Sequence, residues 1–182
     1  LDVHLNGTVH CTKAAWKRMN EQRYGRIVVT TSVVGYSGGF GQSNYGAAKM
    51  AVLGFMNCVA REGAKNNVLI NAISPGAVTR MTETLVEPEH ARHMRAELVS
   101  PAVAWLCSEQ CGETALTISA IAGYFSRVQM FEGEGVQFDP REPVTPEMVA
   151  EAFPRFGRME QPKPVDPNPV GDLNGRLRSL GP

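Results

Sequence analysis

The feature that most constrains the fold is a regular alternation of helical patterns with short apolar runs. Three runs at 26–32, 68–73 and 115–121 are rich in β-branched residues and lack polar alternation. Such runs are typical of parallel strands that are buried on both faces. One helical pattern, at 1–22, precedes the first run, a second, at 43–65, separates the first two runs, and a shorter apolar helix is expected at 102–107, before the third. This order predicts an α/β sheet.

The composition changes after about residue 126, because 9 of the 12 prolines lie beyond that point. We therefore predict two parts, a sheet-forming region at 1–125 and a Pro-rich, partly extended tail at 126–182. Pro167 and Pro169 belong to the densest part of this tail. Thr145 followed by Pro146 is typical of a helix N-terminus, so a short helix is expected near 146–153.

Charge and cysteine usage exclude several classes of function. The chain has 18 basic and 18 acidic side chains, which argues against nucleic acid or an anionic membrane as the main partner. It contains no apolar run near the roughly 18 residues of a membrane span.

The cysteines lack zinc-type spacing, and we interpret Cys107 and Cys111 as buried small hydrophobes on one helix face rather than a redox pair. We predict a reducing, cytoplasmic location and no metal site, since His90 and His93 lack a third ligand.

The chemistry-bearing residues lie where the first strand gives way to a helix. Ser32 closes that strand, and Tyr45 and Lys49 follow at a spacing of four, which places them on one helix face. An ammonium group beside a phenol favours the phenolate and so makes the phenol a better general acid and base. Ser32 would reach the same substrate oxygen from the carboxyl end of its strand, where ligands of open α/β sheets bind.

These residues, together with the Asn71–Gly76 segment, resemble the short-chain dehydrogenase/reductase family. Its signature is a Ser, a Tyr-x-x-x-Lys pair and an Asn-x-x-x-Pro-Gly segment, and all three are present. Within the family, segments 24–27 and 39–45 are most similar to the (3R)-hydroxyacyl-CoA dehydrogenases of peroxisomal multifunctional enzymes and their bacterial relatives. The resemblance implies the C-terminal half of a Rossmann-like, doubly wound parallel sheet in three α/β/α layers.

The resemblance also implies roles for single residues. Tyr45 would exchange a proton with the substrate oxygen, Lys49 would assist it and hydrogen-bond the nicotinamide ribose, and Ser32 would polarise the substrate carbonyl. His4 stands where many members carry a catalytic Asn, and it would hold a proton-relay water or simply pack as a helix histidine. The residues expected to border the nicotinamide are Pro75, Gly76 and, with a spacing one residue short of the common pattern, Thr79.

The cofactor implied is NAD or NADP, but its binding determinants are largely missing from this chain. The family's Gly-rich dinucleotide loop has no counterpart, because that loop follows the family's first strand, whereas the glycines at 35–41 follow the strand that Ser32 closes. The chain also begins without Met, which suggests the later part of a longer protein. We therefore expect this segment alone to be inactive, to bind no dinucleotide and to expose the strand at 27–31 as an apolar edge.

The function that the resemblance implies is oxidation of a secondary alcohol, or reduction of a ketone, with a 3-hydroxyacyl-CoA or 3-oxoacyl thioester as substrate. Another short-chain ketone or steroid reductase is the alternative within enzymes. An alternative of a different class is an inert truncated chain that acts at most as a dimerising module. The resemblance implies a homodimer or homotetramer that associates through helices 2–22 and 43–65.

Overall fold

The computed structural model of the protein describes residues 1–80 and 82–165. These residues form two compact units, one from Leu1 to Val128 and one that begins at Gln129. The predicted proline-rich stretch around Pro167 and Pro169 lies outside the described residues.

The first unit contains a four-stranded sheet. Its strands are β1 (Gly25–Thr30), β2 (Val68–Gly76), β3 (Thr117–Ile121) and β4 (Tyr124–Val128), in the spatial order β1-β2-β3-β4. The first three strands run parallel and β4 runs antiparallel to β3. The three strands that the apolar runs predicted are therefore present.

Helices cover both faces of this sheet, which confirms the predicted α/β/α layers. The helices of the first unit are α1 (Gly7–Glu21), α2 (Val33–Ser37), α3 (Ser43–Gly63), α4 (Pro88–Ala91) and α5 (Ser100–Leu106). On one face, α3 packs its apolar side on alternate strand residues such as Ile70 and Ala72. The next residue along β2, Ile73, faces α5 on the other side. Because both faces are buried, the strands carry no polar alternation.

A buried amide joins β2 to the chain that leads into β3. The Asn71 side chain is 1% exposed, donates to the carbonyl of Glu113 at 3.0 Å and accepts from the amide of Leu116 at 2.9 Å. Both polar ends of the amide are thus satisfied inside the sheet, as burial requires. Asn71, the first residue of the Asn-x-x-x-Pro-Gly segment, therefore connects β2 to the chain that leads into β3.

Several local predictions were wrong. No strand was expected after the run at 115–121, but Ala122 and Gly123, with φ of 51° and 81°, form a two-residue hairpin turn into β4. The glycine-rich loop contains the unpredicted helix α2, because the Ser32 side chain caps it. The helical pattern at 1–22 opens with a π-helical turn, Asp2–Asn6, before α1.

The cysteine interpretation was also wrong in part. Cys107 caps the end of α5 and is exposed, whereas Cys111 lies beyond the helix and is buried. The two residues therefore share no helix face. Cys11 and Cys58 are exposed as well, so only Cys111 behaves as the predicted buried hydrophobe.

The second unit is small within its described range. It contains helix α6 (Pro146–Phe156) and a short antiparallel ladder of β5 (Phe131–Glu132) and β6 (Lys163–Pro164). The Thr145 hydroxyl accepts from the amide of Met148, as an N-cap does, and the helix runs three residues past the predicted end. In neither unit does a described helix have the length and hydropathy needed to cross a bilayer.

The end of α3 offers a test of this packing. A Cβ at Gly63 would overlap the carbonyl oxygen of Val68 and lie 3.2 Å from the Trp16 ring, whereas a Cβ at Gly54 would meet no atom within 4 Å. We expect Gly63→Ala to lower the free energy of unfolding by about 1–3 kcal/mol, because backbone must move. Gly54→Ala is the matched control and should raise it by up to about 1 kcal/mol through helix propensity. Urea denaturation measures both, and equal effects would contradict this packing.

Candidate active site

The candidate site lies at the carboxyl end of the parallel strands. Ser32 follows β1 after one intervening residue, and Pro75 and Gly76 end β2. Tyr45 and Lys49 occupy the first two turns of α3, which packs on the same part of the sheet. The predicted residues from three separate segments thus lie at one edge, which is where open α/β sheets bind ligands.

Lys49 is fixed at both its side chain and its backbone. It is only 6% exposed, and its Nζ donates to the carbonyl of Thr30 at 2.9 Å. Its own carbonyl accepts from the Thr31 hydroxyl at 2.8 Å. Burial lowers the pKa of Lys49, because desolvation disfavours the ammonium form. The amine is therefore held rigidly at the end of β1 with donor capacity to spare.

Tyr45 is half-buried between two other site residues. The Lys49 Nζ lies 5.7 Å from the centroid of its ring. The His4 ring meets it edge-on, with centroids 5.4 Å apart and planes at 80°. The structure therefore brings together three of the predicted residues, one of them from a distant helix.

The π-helical turn places His4 against this pair. In this turn the amides of Leu5 and Asn6 both donate to the carbonyl of Leu1, at 2.9 and 3.2 Å. Such wide turns are rare and occur often at functional sites. The pKa of His4 is lowered, first by desolvation and then by the nearby Lys49 charge. His4 is therefore favoured as a neutral imidazole, which both donates and accepts hydrogen bonds.

Ser32 serves two purposes at the start of α2. Its Oγ accepts from the amide of Val34 at 3.3 Å and so caps the helix. This contact uses a lone pair, so the hydroxyl proton stays available for a substrate oxygen. Close packing then brings α2 onto α3: a Cβ at Gly35 would lie 3.1 Å from Lys49, and a Cβ at Gly46 would lie 3.1 Å from the Val34 carbonyl.

The predicted cofactor-side residues form a less connected group. Pro75 borders a cavity of about 470 Å³. A Cβ at Gly76 would lie 2.6 Å from the Ile121 side chain, so packing inside the sheet already requires glycine there. Thr79 is exposed, and its amide donates to the hydroxyl of Thr82 at 2.8 Å. The Thr82 hydroxyl also donates to the Ala77 carbonyl at 3.0 Å, so it shapes this loop, and sequence reasoning missed it.

Two further contacts of the site were not predictable from spacing. The sequence does not indicate that the Thr30 carbonyl and the Thr31 hydroxyl bind Lys49, since any residue offers a carbonyl and Thr is common in strands.

His4 and Lys49 also line a second cavity, of about 590 Å³, along the free edge of β1. Among the described residues no cluster of three or more His, Cys, Asp or Glu side chains forms a metal site.

Comparison with known proteins identifies the class to which this fold and site belong. A sequence model of the short chain dehydrogenase family matches residues 1–90. A short-chain type dehydrogenase/reductase of Mycobacterium tuberculosis is 46% identical over 139 residues, which make up 76% of this chain and 49% of that protein. Peroxisomal multifunctional enzyme type 2 of Drosophila melanogaster is 42% identical over 178 residues, 97% of this chain and 29% of that protein.

The structural comparison agrees with these matches. The full-length structure of the Drosophila enzyme superposes with a TM-score of 0.88 at 37% identity, and the match covers 98% of this chain and 33% of that one. The chain belongs to the short-chain dehydrogenase/reductase family, whose members are oxidoreductases that bind NAD or NADP. It spans about half the length of the mycobacterial relative and under a third of the Drosophila enzyme.

The residues present fit the nicotinamide end of such a cofactor. The Lys49 ammonium uses one donor on Thr30 and retains others that suit ribose hydroxyls. Pro75 offers an apolar wall beside an open cavity, which suits a flat aromatic ring. The donors of Lys49 therefore suit a ribose and the wall at Pro75 suits a nicotinamide ring, and the two residues line different cavities at this edge.

The charge relation between His4 and Lys49 can be measured directly. We expect the imidazole of His4 to titrate below its ordinary pKa of about 6.5 in a proton NMR titration. Lys49→Met removes the neighbouring positive charge and should raise the pKa of His4, although desolvation keeps it below the ordinary value. Lys17→Met, at an exposed position on α1, is the control and should change nothing. An unchanged titration in Lys49→Met would show that the two groups do not interact.

Proposed function

We propose that this chain carries the proton-transfer half of an NAD(P)-dependent oxidoreductase that interconverts a secondary alcohol and a ketone. The observation that carries the proposal is the Lys49 ammonium, anchored on the β1 terminus 5.7 Å from the Tyr45 ring centroid. A cation fixed there stabilises negative charge as it develops on the phenol oxygen. Because burial and hydrogen bonding hold the amine in place, this stabilisation costs no reorganisation during reaction.

In the reducing direction, Tyr45 donates its hydroxyl proton to the carbonyl oxygen of the substrate. Ser32 donates a hydrogen bond to the same oxygen and so polarises the carbonyl. Its hydroxyl proton is available for this bond, because the capping contact uses only an oxygen lone pair. A nicotinamide cofactor bound beside Pro75 and Gly76 would supply the hydride that reduces the carbonyl carbon. In the oxidising direction Tyr45 takes the proton from the alcohol. His4, beside the Tyr45 ring, hydrogen-bonds the water that returns protons to the site.

The cofactor-binding residues we propose are Tyr45, Lys49, Pro75, Gly76 and Thr79. Lys49 and the hydroxyl of Tyr45 suit the ribose, and Pro75 with Gly76 borders the nicotinamide ring. Thr79 has the weakest support, because its loop is held internally by Thr82. Whether the dinucleotide is NAD or NADP depends on residues outside this site.

We propose a 3-hydroxyacyl-CoA or 3-oxoacyl thioester as the substrate pair. Support comes from the subgroup resemblance of segments 24–27 and 39–45, and from the match of 97% of the chain to a peroxisomal multifunctional enzyme. A broader ketone or steroid reductase shares the same proton-transfer residues and stays the alternative. The cytoplasmic location stays a prediction, beside the peroxisomal names of several relatives.

The assay uses the full-length protein that contains this chain, with 3-hydroxyacyl-CoA or a steroid alcohol and either dinucleotide. We expect turnover with the thioester, and Tyr45→Phe should lower kcat about 100- to 10,000-fold with little change in cofactor affinity, because only the proton-transfer group is lost. Tyr124→Phe, at a 65% exposed position on β4, is the matched control. Full activity of Tyr45→Phe would remove the assigned role, and turnover of the steroid alone would favour the alternative.

We also propose that the protein associates as a homodimer or homotetramer through the helical segments 2–22 and 43–65. The outward side of α3 carries small residues, among them Ala47, Gly54 and Cys58, and all three are exposed. Small side chains let a second helix approach closely. Two such faces can therefore pack at a short interhelical distance and remove apolar surface from water.

Gly54 tests this surface, because a side chain added there meets no atom of its own chain. In the full-length protein, Gly54→Trp should shift the mass in light scattering from oligomer to monomer, since a bulky ring blocks close approach. Gly112→Trp, where an added Cβ also meets no atom within 4 Å, is the control and should keep the oligomer. An unchanged mass for Gly54→Trp would place any interface elsewhere.

A further inference from the structure

A side-chain hydrogen bond connects the segment that carries Ser32 to the end of β2. The Tyr36 hydroxyl and the Ser74 Oγ lie 3.2 Å apart, across 38 residues of sequence. Tyr36 belongs to α2 and packs against the core under α3. Ser74 is 3% exposed and immediately precedes Pro75. The bond therefore spans the gap between the proposed substrate-polarising residue and the proposed nicotinamide wall.

This bond begins where the backbone ladder of the sheet stops. The last register pair of β1 and β2 is Thr30 with Ile73, and the Thr31 amide still donates to the Ile73 carbonyl at 2.8 Å. One residue later the chain leaves the sheet and enters α2. From that point the Tyr36–Ser74 pair continues the connection with side chains in place of backbone groups.

Helix α2 needs such external contacts to have a defined position. It has five residues, and a helix of that length is not stable by itself. On one side it rests on α3, where Gly35 and Gly46 permit close packing. The Tyr36 hydroxyl ties it to β2 on another side. Contacts in two directions fix the helix, whereas the α3 contact by itself would leave it free to slide.

The position of Ser32 follows from the position of α2, because Ser32 is the N-cap residue of that helix. We propose that Tyr36 is a positioning residue: its hydrogen bond to Ser74 holds α2, and with it the Ser32 hydroxyl, at a fixed place against the carboxyl end of β2. The inference rests on the proposed function for the role of Ser32. Small displacements of a polarising group are costly, because about 1 Å can reduce turnover a hundredfold.

The burial of Ser74 makes the effect of this hydrogen bond on stability measurable separately from its effect on position. Its buried hydroxyl loses its partner in Tyr36→Phe, whereas the double variant Tyr36→Phe/Ser74→Ala removes both polar groups together. Removing both partners costs less stability than leaving one buried group unpaired. The double variant therefore distinguishes an effect on stability from an effect on position. It should be more stable than Tyr36→Phe, although α2 still lacks its hydrogen bond to β2.

The experiment compares Tyr36→Phe, Ser74→Ala and the double variant with Tyr124→Phe as the matched control, all in the full-length protein. Amide hydrogen exchange is followed over α2, and kcat and KM are measured with the thioester substrate. We expect exchange over Val33–Ser37 to be about fivefold to tenfold faster in all three variants, the factor that one neutral hydrogen bond supplies. We also expect kcat to fall about tenfold with KM within twofold, and the double variant to melt close to the wild type.

Unchanged exchange over α2 in Tyr36→Phe and Ser74→Ala would overturn the proposal. A double variant that recovers kcat together with its melting temperature would also overturn it, since the bond would then be structural only. The outcome for the proposed function is separate: a wild type that turns over no alcohol or ketone refutes that function. In that case the exchange data still decide whether the bond holds α2 on β2.

Discussion

The contact between Lys49 and the end of β1 is the interaction on which the rest of the site depends. Lys49 is 6% exposed, and a lysine buried to this extent is costly unless its ammonium is hydrogen-bonded, which the Thr30 carbonyl provides. The Thr31 hydroxyl adds a second bond, to the Lys49 backbone. Together they fix both the height and the rotation of α3 on the sheet. Tyr45, one turn earlier on the same helix, is placed by the same two contacts.

Glycines in α2 and near the start of α3 let the other site residues join this arrangement. Gly35 and Gly46 bring the backbones of α2 and α3 together, and no larger residue fits without displacement of backbone atoms. Ser32 caps α2 and therefore moves with it. Between Ser32 and Tyr45, Gly35 is thus required by packing, whereas Gly38 and Gly41, with φ of 80° and 71°, are favoured by their backbone conformation.

Sequence reasoning recovered the parts that depend on local periodicity. The three parallel strands follow from uninterrupted β-branched runs, and the Tyr45–Lys49 pair follows from helical spacing. Sequence reasoning failed where the local conformation of a segment depends on contacts with residues distant in sequence. β4 exists because its partner β3 offers an open edge, and the sequence of the turn at Ala122–Gly123 reads equally well as a strand end. The π-helical turn at His4 has no sequence signature that periodicity detects.

What the amino-acid sequence by itself determined is the α/β class, the family and the choice of candidate residues for proton transfer, because those depend on residue type and on fixed spacings along one chain. The tertiary structure decided how these residues meet. Lys49 binds the Thr30 carbonyl, His4 meets the Tyr45 ring, and the Tyr36 hydroxyl pairs with Ser74 across 38 residues. Such contacts join segments that only packing brings together, and hydrogen bonds of this kind form over about 3 Å, so their partners are defined once the sheet has closed.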